Sequence, residues 1–138
     1  MRNEDLARDY VDRALKRLRA LELLFELGAW ADVVRESQET VELALKGLLR
    51  HARIEPPRLH DVSDLLLENS SAFPEALRQH LKAIAEVSRR LRRDRELAFY
   101  GSEDLTPSHF YRQQDAREAI DGARMVVTAV RETVLSAD

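Results

Sequence analysis

The stretch SRRLRRDRELAFYG, residues 88–101, places five arginines within seven positions and then runs into an aromatic pair and a glycine. Arginine presents a planar fork of donors that meets phosphate in bidentate geometry. A tyrosine ring adds a platform on which a base can stack. Arg89, Arg93 and Tyr100, with Asp94 placed to orient Arg93, are therefore candidates for holding RNA or a nucleotide. On a helix advancing about 100° per residue, Leu77, Ile84 and Leu91 define an inward face, and Arg95 continues it. Arg78, Lys82, Arg89 and Arg93 fall on the outer side, and Tyr100 joins them. An arginine on the inward line must be paired or shared across an interface. The same stripe can instead be a solvated face neutralised by acids of neighbouring helices such as Glu22, Glu26 or Glu118.

A second row of polar residues is Gln38, Glu42 and Lys46, spaced by four. Glu before Lys at this spacing is the favourable ion-pair order on a helix, so the row reads as structural. His60 and Asp61 stand at a helix start, where capping and packing account for them. Arg53 and His60 flank Pro56-Pro57 and lie apart from the arginine-rich helix, so they do not form one site with it.

These residues need helices to position them. Apolar residues recur at Leu6, Tyr10, Ala14, Leu18, Leu21 and Phe25, which predicts a first helix starting near Asn3 and ending or bending at Gly28. A second helix is expected from about Trp30 to Ala52, with Trp30, Val33, Ser37, Val41, Ala44 and Leu48 on its buried face and Pro56-Pro57 stopping it. HDVSDLLLENS reads as a short third helix anchored by Leu65, Leu66 and Leu67. A fourth helix, with Pro74 in its first turn, runs towards Tyr100 and is broken by Gly101. GSEDLTPSHF reads as a loop. The last helix begins between Phe110 and Gln114 and carries Ala116, Ile120, Ala123, Val127, Val130 and Val134. The expected fold is all-α, an antiparallel up-and-down four-helix bundle with one additional short helix, forming a single domain over residues 1–138.

Composition agrees with this and narrows the chemistry. The chain has 138 residues, a net charge of −3 and no cysteine, so a nucleic-acid surface must be local and thiolate metal sites are excluded. No metal or cofactor site is read from the sequence. The opening MRNEDLARDY has no apolar core, and no apolar run is long enough to span a membrane, so a cytoplasmic protein is expected.

Two blocks together resemble a known family. SQETVELALKGLLRHARIEPPRLHDVSDLLL, residues 37–67, is similar to the Gln-x-x-x-Glu-x-x-x-Lys helix, Pro-containing loop and His-Asp-Leu helix start of HEPN domains, with Val62 in the third place. The arginine-rich fourth helix ending in Tyr100, followed by a loop and a last helix, completes the likeness over almost the whole chain. The name stands for higher eukaryotes and prokaryotes nucleotide-binding. The resemblance implies a homodimer with the fourth helix at the dimer cleft, and RNA or a nucleotide as ligand. It also implies a role in a toxin–antitoxin or related defence system. In one subclass the motif is Arg-x-x-x-x-His-x-Tyr, and a partner nucleotidyltransferase modifies the tyrosine with AMP; Tyr100 is the matching position.

Members that cut RNA do so without metal and need a histidine near the end of this helix. In the frame from Arg93 that place is Ala98, and in the frame from Arg95 it is Tyr100. Ribonuclease activity thus follows from the family while its histidine is missing here, and no catalytic residue is assigned. A non-catalytic HEPN module that binds a nucleotide or a protein partner is the alternative.

Overall fold

A computed structural model describes residues 2–56, 62–100 and 107–136, with the side chains of residues 2, 95–100, 107 and 108 excepted. Its elements are α1 (Arg2–Glu26), α2 (Trp30–His51), α3 (Val62–Glu68), a 3-10 turn (Ser70–Ala72), α4 (Glu75–Arg78), α5 (Leu81–Tyr100), α6 (Pro107–Phe110) and α7 (Gln113–Val134). Four long helices, α1, α2, α5 and α7, form an all-helical bundle, and no strand occurs among the described residues. No helix among them is long and apolar enough to cross a membrane.

The hub is α2, which packs on α1, α5 and α7. Its predicted row holds: Val33, Ser37, Val41, Ala44 and Leu48 are buried, and Trp30 packs against the core edge. The expected row of α1 is rotated at its N-terminal end. Ala7 and Val11, rather than Leu6 and Tyr10, are fully buried, and Ala14 and Leu21 continue the line. The cause is Gly47 on α2. A Cβ placed there would lie 3.2 Å from the Ala7 carbonyl oxygen and 3.3 Å from Val11 Cγ2, so only small residues fit between the two backbones. Asn3 is not the cap of α1 either; it lies inside the helix, and its side chain accepts a hydrogen bond from Arg50 at 3.3 Å.

Two helix ends are built alike. Gly28, at φ +72°, ends α1: its N–H bonds the Phe25 carbonyl, and Ala29 N–H reaches back to Leu24. This is the left-handed C-terminal motif that favours glycine. Trp30 then stacks edge-on against Phe25 at 5.0 Å. At the end of α2 the same pair of bonds runs from Arg53 to Arg50 and from Ile54 to Leu49, with Arg53 at φ 62°. The stop therefore precedes Pro56-Pro57, the terminator expected from the sequence. A non-glycine residue in this region carries a steric cost. Arg53→Gly should raise the stability by about 0.5–1 kcal/mol, less whatever glycine adds to the freedom of the unfolded chain. A denaturant titration reads this directly, and a lower midpoint would contradict it.

Two further expectations shift. The fourth helix is interrupted: α4 ends at Arg78, His80 N–H bonds Leu77 three residues back, and α5 starts afresh at Leu81. Arg78 thus stands on a separate turn, paired with Glu75 at 2.7 Å, and does not extend the stripe of α5. In α3 the anchor is Val62, Ser63 and Leu66, all buried, whereas Leu67 is exposed. The loop expected before the last helix includes a helical turn, α6.

Candidate functional site

α5 lays Leu81, Ile84, Ser88 and Leu91 into the core and turns Lys82, Arg89 and Arg93 outward, as its spacing predicts. The outward arginines do different work. Arg89 Nε donates to the buried Ser63 hydroxyl at 3.0 Å, and its Nη2 donates to Asp64 at 2.7 Å. Arg89 thus ties α3 to α5. Its acid partner is on α3, on none of the helices expected to neutralise the stripe. Arg90, which has no place in the sequence-based stripe, lies over α7, its guanidinium 3.5 Å from where a Cβ on Gly122 would stand. Arg93 is exposed one turn beyond Arg89.

Asp94 is half-buried between Arg93 and the start of α7. Burial raises its carboxyl above the usual range; Arg93 and Arg90 pull it back, and Asp115 and Glu118 push it up again. The charged form of Asp94 is therefore less favoured in the folded protein than in the unfolded chain. Its main-chain carbonyl accepts the hydroxyl of buried Tyr111 at 2.5 Å, a bond that joins the last turns of α5 to the entry of α7. At that entry, Arg112 N–H donates to the Asp115 carboxylate at 2.8 Å. Tyr111 escapes a reading of the sequence because its partner is a backbone carbonyl, which leaves no residue signature.

Burial, followed by the charges of Asp94 and Asp115, pushes the Tyr111 phenol up to about 12. An unfolded tyrosine ionises near 10. Between these values the folded chain holds a proton that the unfolded chain has lost, so rising pH favours unfolding. Stability should fall as pH climbs from about 10 to about 12, and this loss should be smaller in Tyr111→Phe. Melts across this window test it, and equal slopes for the two proteins would contradict it.

α5 continues to Tyr100, but the side chains of Arg95, Ala98 and Tyr100 lie outside the described residues, as do His60 and Asp61. The row on α2 is internally bonded: Gln38 Nε2 donates to Glu42 at 2.9 Å, and Lys46 pairs with Glu42 at 3.8 Å. This fits its structural reading. Gln38 is buried, and its Oε1 has no partner among the described residues. No cluster of metal-ligating side chains occurs among the described residues.

The described residues thus form an all-helical bundle with Arg93 exposed on α5 and the half-buried carboxyl of Asp94 next to it in the sequence. The chain belongs to the HEPN domain family, whose model matches residues 7–133. It is also similar to the crystal structure of TT1696 from Thermus thermophilus, with 27% identity and a TM-score of 0.72, over 92% of this chain and 97% of that one. No curated protein sequence matches it.

Proposed function

We propose that this chain is the HEPN component of a toxin–antitoxin or related defence system. It binds RNA or a nucleotide at a homodimer cleft formed by the end of α5. Arg93 holds phosphate, Asp94 orients Arg93, and Tyr100 stacks on a base. Where a small nucleotidyltransferase accompanies it, the Tyr100 hydroxyl is the group that receives AMP. The observation that carries this reading is that Arg93 stays exposed on the outer side of α5, next to Asp94 in the sequence. Arg89, the other candidate, is engaged by Ser63 and Asp64 and serves to position α3. The second reading, a non-catalytic module that binds a nucleotide or a protein, is favoured by alanine at position 98.

The test compares three variants by thermal melting and by titration with a single-stranded RNA and with ATP. Arg93→Ala and Tyr100→Ala should melt like the parent and bind about tenfold more weakly, since each removes one charge-assisted contact or one stacking contact. Arg89→Ala should instead lose about 1 kcal/mol of stability, because the buried Ser63 hydroxyl loses the donor that Arg89 supplies while the exposed Asp64 pair contributes little. If Arg93→Ala and Tyr100→Ala bind like the parent, the stripe is a solvated face and the reading fails.

A further inference from the structure

The opposite end of the bundle carries a second feature. A groove of about 860 Å³ opens between the C-terminal half of α7 and a wall made by α4 and the end of α2. Ligand sites are commonly about 300–1,000 Å³ and mostly apolar with a few converging polar groups. Here Pro74, Leu77, Met125 and Ala129 supply the apolar lining, and His51 and Glu132 are among the polar residues. The groove is remote from Arg93. Asp115, at the arginine end, and Glu132 are separated by about 25 Å along α7, at 1.5 Å per residue.

His51 is held in one orientation. Its Nδ1 lies 3.0 Å and 3.2 Å from the two carboxylate oxygens of Glu4, in the first turn of α1. A carboxylate only accepts, so the neutral ring carries its proton on Nδ1 and its lone pair on Nε2. No hydrogen bond to Nε2 occurs among the described residues, and His51 lines the groove, so in the neutral ring Nε2 is a free acceptor on a groove residue. Glu132 adds an exposed carboxylate one helical turn past Ala129. Arg124, the cation on this wall, already faces two acids, Glu22 at 3.6 Å and Asp121 at 3.5 Å. The groove thus offers apolar walls and acceptors, with its fixed positive charge compensated.

We infer that this groove binds a small organic cation, an apolar body bearing an amine or amidine, whose N–H groups meet His51 Nε2 and the Glu132 carboxylate. This goes beyond the RNA or nucleotide reading, because it selects the opposite charge at the other end of the molecule. His51 is a binding group here, and Glu4 acts through it as a positioning residue.

Benzamidine and benzoate have the same shape and opposite charge, so they serve as the probes. Both are titrated at pH 8 into the full-length ¹⁵N-labelled protein and followed by NMR. Benzamidine should shift the His51 ring nitrogens and the amides of residues 125–132, with a dissociation constant on the order of millimolar for so small a ligand. Benzoate should bind at least about fivefold more weakly. Glu132→Gln, at an exposed position, should weaken benzamidine by about fivefold and leave the melting temperature unchanged. His51→Ala should weaken it further, with melting recorded because the link to α1 is lost. Equal or tighter binding of benzoate overturns the proposal. So does benzamidine binding that neither variant alters, or the absence of any shift in the groove. Groove resonances that move on dilution of the protein alone would show a second copy of the chain in the groove, and overturn it equally.

Discussion

Single-stranded RNA incubated with this protein and a metal chelator should remain intact. Metal-independent cleavage needs a group that accepts and returns a proton near neutral pH. By the resemblance to cleaving HEPN domains, the place expected to hold histidine is Ala98 in the frame from Arg93 and Tyr100 in the frame from Arg95. Tyr111, the nearest described phenol, is pushed up to about 12, and its hydroxyl is committed to the Asp94 carbonyl. Asp94, beside Arg93 in the sequence and with its carboxyl raised by burial, is the acid that the proposed site offers as a base. Any trace of cleavage should therefore disappear in Asp94→Asn. Introducing the absent imidazole by Ala98→His should raise cleavage by about 10²-fold, the lower end of what a placed general acid–base contributes. Gel analysis of a labelled RNA over hours measures all three proteins. Robust cleavage by the natural protein that survives Asp94→Asn would show that the reactive group lies elsewhere, and His60 and His80 would then be the residues to replace.

The parts of this molecule that could be read from its sequence are those governed by a long repeat. The row from Val33 to Leu48 on α2 holds in the structure because successive turns of one helix keep the same period. The inward and outward sides of α5 hold as far as Arg93 for the same reason. The N-terminal half of α1 departs from its pattern because hydrophobicity ranks Leu6 and Tyr10 above Ala7. At a close helix contact, size decides, and the determinant is a glycine on another helix. The stop at Arg53 gives no signal, since arginine is not a residue expected at positive φ. Arg89 cannot be separated from Arg93 by spacing. What divides them is Asp64, 25 residues away in the chain, which approaches Arg89 only after α3 docks. The charge pattern marks a basic helix face, and tertiary contact decides which arginine the fold has already used.

The largest loss of stability is expected from Gly47→Leu. Gly47 is buried in α2 where α1 crosses it, and even a Cβ would stand 3.1 Å from Tyr10 Cβ and 3.2 Å from the Ala7 carbonyl oxygen. Both atoms are fixed by the backbone of α1, so neither can turn aside as the end of a side chain could. An alanine requires α1 to give by a few tenths of an ångström, a cost offset by the roughly 1 kcal/mol that alanine gains over glycine inside a helix. Leucine adds three more carbon atoms and must drive α1 away from the hub helix. Overpacking of this kind typically costs about 1–3 kcal/mol, and here it should reach or exceed the upper figure because the obstacle is backbone. Against a total of roughly 5–15 kcal/mol for a domain, that removes a large share of the stability. Separation of α1 would also break the bonds that cross the same seam, His51 to Glu4 and Arg50 to Asn3. Hydrogen exchange should therefore show amides of α1 exposed before those of α7, and thermal melts should place Gly47→Ala near the parent and Gly47→Leu far below it. A leucine variant that melts with the parent would mean that α1 does not approach α2 at Gly47, and the rotation of its buried row towards Ala7 and Val11 would lose its cause.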